Sequence, residues 1–182
     1  MPIKLEEYID PDTFEKILAF SKNKETPFLV IDTATVMAKL EELEKLFPYA
    51  RVYYAVKANP AIEILTMMKG KNINFDIASI FELDRALSLG ISPDRICFGN
   101  TIKKSKDVRY FYEKGVRMFA TDSEADIRSI AKAAPGSRVY VRILTEGTYT
   151  ADWPLSRKFG CQSDMAMDLI ILAKDLGLIP YG

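Results

Sequence analysis

Apolar, β-rich runs centred on Tyr54, Phe75, Cys97, Phe119 and Tyr140 follow one another at steps of 21, 22, 22 and 21 residues. Helical segments with start and stop signals fill the gaps. Ser79 with Glu82 three residues on forms a capping box, and Ser105 and Ser123 stand where N-caps belong. Gly70, Gly90, Gly115 and Gly177 follow helical segments, and Pro135-Gly136 ends another. Strand and helix in regular alternation predict parallel βαβ units. The near-constant step favours a (β/α)8 TIM-like barrel over a doubly wound sheet, whose connections vary more in length. A closed barrel needs eight strands and typically about 250 residues. This chain of 182 residues shows five clear repeats and a sixth strand opening at Leu178-Ile179-Pro180-Tyr181. The expectation is therefore a barrel present in part, five to six units of it, cut from a longer protein.

Ahead of the repeats lies a polar lead-in, residues 1–26, with one helical patch from Thr13 to Phe20. Pro27-Phe28-Leu29-Val30-Ile31-Asp32 reads as a buried strand. Thr33 to Phe47 reads as an amphipathic helix with Val36, Leu40, Leu43 and Phe47 on one stripe, stopped by Pro48. A further helix is expected over Met165 to Leu176.

Composition removes several function classes. The 25 basic and 25 acidic residues balance, so no field favours nucleic acid or an anionic membrane. No apolar run approaches the roughly 18 residues of a spanning helix. The first residues lack the layout of a signal peptide. Cys97 and Cys161 form neither a disulfide framework nor a metal-ligand spacing, so a reduced, cytoplasmic protein is expected. The chain has no histidine, which excludes Ser-His and Cys-His nucleophile activation within these residues.

The strand ends are where barrel chemistry sits. Here they carry Lys57, Asp76, Asn100, Asp122 and Arg142, one from each repeat. Lys57 follows the apolar run Val52 to Val56, and Asn59-Pro60 reads as an N-cap and first helical residue. A lysine held at the mouth and desolvated has a depressed pKa, and its neutral amine suits Schiff-base chemistry. The plain alternative is a lysine that threads its stem past the rim into water. Asp76 and Arg142 interrupt apolar strands, where isolated charges are costly. The economical arrangement has them meet each other or Lys57. Asp122-Ser123 reads as a helix cap, and Asn100-Thr101 as turn chemistry. Two cations and one carboxylate suit an anionic cofactor such as pyridoxal 5'-phosphate. In that arrangement Lys57 bonds the aldehyde, Arg142 donates toward the ring oxygen and Asp76 holds both cations.

The segment Tyr54-Ala55-Val56-Lys57-Ala58-Asn59 resembles the cofactor-lysine motif of the pyridoxal-phosphate decarboxylases of basic amino acids, which share the alanine-racemase-like fold, fold type III. The resemblance runs from Pro27 onward. It includes Phe75-Asp76-Ile77-Ala78-Ser79 with Glu82, then Leu89-Gly90, Arg95-Ile96 and Asn100. It continues through Phe119-Ala120-Thr121-Asp122-Ser123-Glu124, Val141-Arg142-Ile143 and Ser156-Arg157-Lys158-Phe159-Gly160. Any one of these is weak alone; together they are specific to the N-terminal part of an ornithine/lysine decarboxylase. The resemblance implies an eight-stranded barrel, of which 33–182 hold an incomplete part, and a second sheet domain to which residues 1–32 contribute. It further implies a homodimer with shared active sites. The implied activity is decarboxylation of L-ornithine or L-lysine to a diamine, a step of polyamine biosynthesis. Lys57 then carries the cofactor, with Asp76 and Arg142 beside it.

The same resemblance places a ring-stacking histidine, a glycine-rich phosphate loop and the acid at the pyridine nitrogen beyond Gly182. The cysteine and aspartate that a partner subunit contributes lie there too. These residues alone are therefore expected to be inactive. Alanine racemases share the lysine motif, but their continuation after it, tyrosine-glycine-histidine-glycine, is missing here. Diaminopimelate decarboxylase and a non-catalytic decarboxylase-like regulator stay open as alternatives.

Overall fold

The computed structural model describes residues 9–145 and 159–182. It divides into two compact units, 1–48 and 49–182. The first holds two helices, α1 (Pro11–Ser21) and α2 (Thr33–Leu46). Each opens on an aspartate. Asp10 accepts from the Asp12 N–H at 3.0 Å, and Asp32 accepts from the Ala34 N–H at 2.9 Å. The strand expected over residues 27–32 does not form. That stretch is irregular backbone ending in the α2 cap, and Leu29 is 83% exposed. An apolar run becomes a strand only where a partner offers a ladder, and none pairs with it among the described residues.

The second unit is the repeat. Its strands are β1 (Tyr53–Ala55), β2 (Asn74–Ile77), β3 (Ile96–Phe98), β4 (Met118–Thr121), β5 (Arg138–Val141) and β6 (Ile179–Pro180). The helices between them are α3 (Ile62–Lys69), α4 (Ile80–Ser88), α5 (Ser105–Glu113), α6 (Glu124–Ala133) and α7 (Ser163–Asp175). All five centres predicted from the spacing fall inside strands. The sheet is parallel throughout, and its spatial order is its sequence order, β1 to β6. A doubly wound sheet reverses direction at a switch point. This sheet never does, as part of a (β/α)8 barrel requires.

The strands alternate between two faces with period two. Phe75, Ile77, Phe98, Phe119 and Val139 lie on the helix-facing side and are 0–2% exposed. There Phe98 stacks on Phe111 of α5, with ring centroids 3.9 Å apart. The opposite side carries Tyr53, Asp76, Cys97, Met118 and Tyr140 around a concavity of about 500 Å3. The helix ends follow the expected signals. Ser79 accepts from the Glu82 N–H at 3.3 Å, while the Glu82 carboxylate accepts from the Ala78 N–H at 2.7 Å. Ser123 likewise accepts from the Asp126 N–H at 3.4 Å. Ser105 differs, being the first residue of α5 rather than its cap.

Candidate active site

β1 ends at Ala55, and Val56–Ala58 then makes a single 3-10 turn. Val56 is fully buried and Lys57 beside it is exposed. The turn is pinned on its far side. The Tyr54 hydroxyl donates to the Asn59 carbonyl at 3.0 Å, and the Arg85 guanidinium donates to the Pro60 carbonyl at 2.9 Å. Asn59 does not cap α3 as expected. Its side chain accepts from the Ala61 N–H at 3.1 Å, an Asx turn, and the helix starts at Ile62 with Ala61 in the cap position. In this unit Lys57 is therefore at the strand end but not desolvated, because Val56 takes the buried place. Its amine makes no hydrogen bond or ion pair among the described residues.

Asp76 is half-buried in the middle of β2, abreast of Cys97 on β3. It lies on the concave side, not in the apolar layer, which is why a charge is tolerated inside the strand. Its Oδ1 accepts from the Cys97 thiol at 3.5 Å. Gly99 makes room for it, since a Cβ there would land on the carboxylate. Arg142 follows β5 directly. Its N–H donates to the Thr121 carbonyl at 2.8 Å, its side chain is exposed, and its guanidinium lies 5.0 Å from the centre of the Phe159 ring. The expected pairing of Asp76 with Arg142 or Lys57 is not present; no salt bridge joins them among the described residues. The inner face lets each charge be solvated or satisfied separately, so pairing is not forced.

Asp122 is not the cap of α6, a place held by Ser123. Its carboxylate instead accepts from the Gly160 N–H at 2.9 Å. The returning segment is thereby fastened beside the end of β5, where Ile143 bridges Cys161. Asn100 does make turn chemistry, accepting from the Ile102 N–H at 3.1 Å. Ser156, Arg157 and Lys158 of the last motif fall outside the described residues.

The buried lysine at this end is Lys103, in the loop between β3 and α5. Its Nζ is 2.7 Å from Asp126 Oδ2 and 2.7 Å from the Ala120 carbonyl. The Asn100 carbonyl lies 3.0 Å away. The Lys103 side chain is 0% exposed and that of Asp126 9%. Burial pushes the lysine pKa down and the aspartate pKa up, and each partner's charge opposes the other's shift. This pair ties the β3–α5 loop to the start of α6. Cys97, Tyr140 and Gly99 also escaped the sequence reading. The spacing alone misplaces Cys97: the step between these two run centres is 22 residues, which sets Asp76 against Phe98, whereas the register pairs it with Cys97, 21 residues on.

Residues 33–179 match the family profile described as Pyridoxal-dependent decarboxylase, pyridoxal binding domain. The chain belongs to this decarboxylase family. Ornithine decarboxylase of Saccharomyces cerevisiae is 36% identical over 155 residues, covering 85% of this chain and 33% of that protein. The solved complex of SrLDC with PLP and cadaverine superposes with a TM-score of 0.79 at 32% identity, covering 90% of this chain and 41% of that one. Arginine decarboxylase of Paramecium bursaria Chlorella virus gives a TM-score of 0.84 at 30% identity, covering 94% and 46%. The chain thus spans less than half the length of each of these decarboxylases. Among the described residues, no helix is long and apolar enough to cross a membrane.

The family's cofactor is pyridoxal phosphate, and the residues present fit part of it. Lys57 offers an exposed amine in the turn just after β1. Asp76 adds a carboxylate on β2 and Arg142 an exposed guanidinium directly after β5, and a guanidinium is a suitable donor to an anionic oxygen.

Proposed function

We propose that this protein is a pyridoxal-phosphate-dependent carboxy-lyase acting on a basic amino acid, L-ornithine or L-lysine, and releasing the diamine used in polyamine biosynthesis. The observation that carries the reading is the family match over 33–179. It spans Lys57, Asp76 and Arg142 on one sequentially wound parallel sheet. When bound, pyridoxal phosphate supplies the electron sink for breaking the bond to the carboxylate. Lys57 holds the cofactor covalently. Its turn, braced by Tyr54 and Arg85, fixes where the amine stands. Asp76 presents its carboxylate on the inner face of the sheet, where the Cys97 thiol donates to it. Arg142, whose exposed guanidinium lies over the Phe159 ring, would donate to an anionic oxygen of the cofactor.

The first 32 residues belong, in this reading, with a second sheet domain, and the working enzyme is a cytoplasmic homodimer with shared active sites. The test is to supply the full-length protein with pyridoxal phosphate and present ornithine, lysine, arginine and diaminopimelate separately. Carbon dioxide and the matching amine are then measured. Release from ornithine or lysine is expected; release from none of the four refutes the proposal.

A further inference from the structure

The concave face holds a chain of donors that the proposed roles of Lys57, Asp76 and Arg142 leave unused. Tyr140 on β5 points its hydroxyl at Cys97 Sγ, 3.7 Å away, and the Cys97 thiol points at Asp76 Oδ1, 3.5 Å away. Three strands contribute, and the fold sets their alignment. Asp76 and Cys97 are register partners on neighbouring strands, so their side chains leave the sheet on the same side. Tyr140 is the register partner of Ala120 on the strand between. Ala120 offers only a methyl group there, so the tyrosine can reach past it to β3. On the other flank Gly99 removes the side chain that would occupy the carboxylate's place.

The polarity of this chain is fixed by its surroundings. Burial and the nearby charge of Asp76 push the Cys97 thiol up to about 12, so it stays an S–H. Burial pushes the Tyr140 phenol up as well, so it stays an O–H. Neither group is a nucleophile at neutral pH; both are donors whose hydrogens run toward Asp76. The remaining titratable groups lining the concavity are Tyr53, itself raised by burial, and Tyr181.

We infer that Cys97 and Tyr140 are positioning residues for Asp76, a relay that orients its carboxylate on the inner face of the barrel wall. A carboxylate has several acceptor positions and swings freely when no donor selects one. Here a thiol selects Oδ1, and the phenol behind it holds the thiol rotamer. The consequence for chemistry rests on the proposed function, in which Asp76 faces the cofactor bound at Lys57.

The test has two arms on the full-length protein. Without cofactor, the infrared S–H stretching band of Cys97, identified by its loss in Cys97→Val, reports whether the thiol donates to Asp76. The expected band is shifted to low frequency. It returns toward the free-thiol position in Asp76→Ala and moves in Tyr140→Phe. With pyridoxal phosphate bound, Cys97→Val is expected to lower kcat about tenfold, the size of one lost hydrogen bond to a charged group, and Tyr140→Phe, which removes a donor to the neutral thiol, about threefold, with KM little changed in both. Cys97→Ser, which keeps a donor, restores most of it. An S–H band indifferent to Asp76→Ala overturns the relay, and a kcat unaffected by both Cys97→Val and Tyr140→Phe overturns its role. A protein that forms no covalent adduct with pyridoxal phosphate refutes the proposed function instead, and the infrared arm still decides the relay.

Discussion

Replacing Lys103 by methionine keeps the length of the side chain and removes its charge and donors. In the structure that ammonium reaches Asp126, Ala120 and Asn100 at 2.7, 2.7 and 3.0 Å, with no exposed surface of its own. Removing one partner of a buried pair leaves an uncompensated charge and typically costs about 3–5 kcal/mol. Two carbonyls also lose their donor, and each unsatisfied buried group costs about 1–3 kcal/mol. These overlap, so the expectation for Lys103→Met is about 3–5 kcal/mol of lost stability, read as a lower urea midpoint at unchanged slope. The double variant Lys103→Met/Asp126→Leu removes the stranded carboxylate but not the carbonyl deficit. It should recover part of the loss and remain about 1–3 kcal/mol below the original. The pH dependence follows from Asp126, whose folded pKa is already raised by burial. Without the lysine it rises further. A raised carboxylate pKa gives stability that is present below the unfolded pKa and lost as pH climbs through the folded one. The deficit of Lys103→Met should therefore be smallest in mild acid and largest at neutral pH. A loss under about 1 kcal/mol at neutral pH, or a deficit that shrinks as pH rises, refutes this account of the pair.

Gly160 has φ +98°, and a Cβ there would lie 2.7 Å from the Ile143 carbonyl carbon, so Gly160→Ala should destabilise the segment beside β5 by at least about 1–2 kcal/mol. A thermal midpoint unchanged from the parent would contradict this. Phe111→Ala removes the ring stacked on Phe98 in the fully buried outer core, for an expected loss of about 3–5 kcal/mol in denaturant unfolding.

The strands and their parallel winding were legible because the repeat is a spacing, and spacing survives without knowledge of contacts. Lys57, Asp76 and Arg142 were legible as polar residues breaking or ending apolar runs. Their relations were not. Pairing is forced only where both faces of a strand are dry, whereas Asp76 lies on a concave face where a thiol donates to it. Lys103 was missed for the opposite reason. The lysine pair Lys103-Lys104 looks like a solvated loop, and only the fold brings Asp126 and the Ala120 carbonyl around the first of the two. The stretch from Pro27 to Asp32 shows the limit of pattern alone, since its strand-like composition found no ladder and its last residue became a helix cap.

In the proposed function Lys57 is the group to which the cofactor bonds. The full-length protein is loaded with pyridoxal phosphate, reduced with borohydride, digested and mapped by mass spectrometry. The reduced pyridoxyl label is expected on Lys57, which is exposed just after β1 on a braced turn. Lys57→Ala is expected to abolish both the label and the bound-cofactor absorption band. A label on Lys69, Lys103 or Lys158 in place of Lys57 contradicts this role of Lys57.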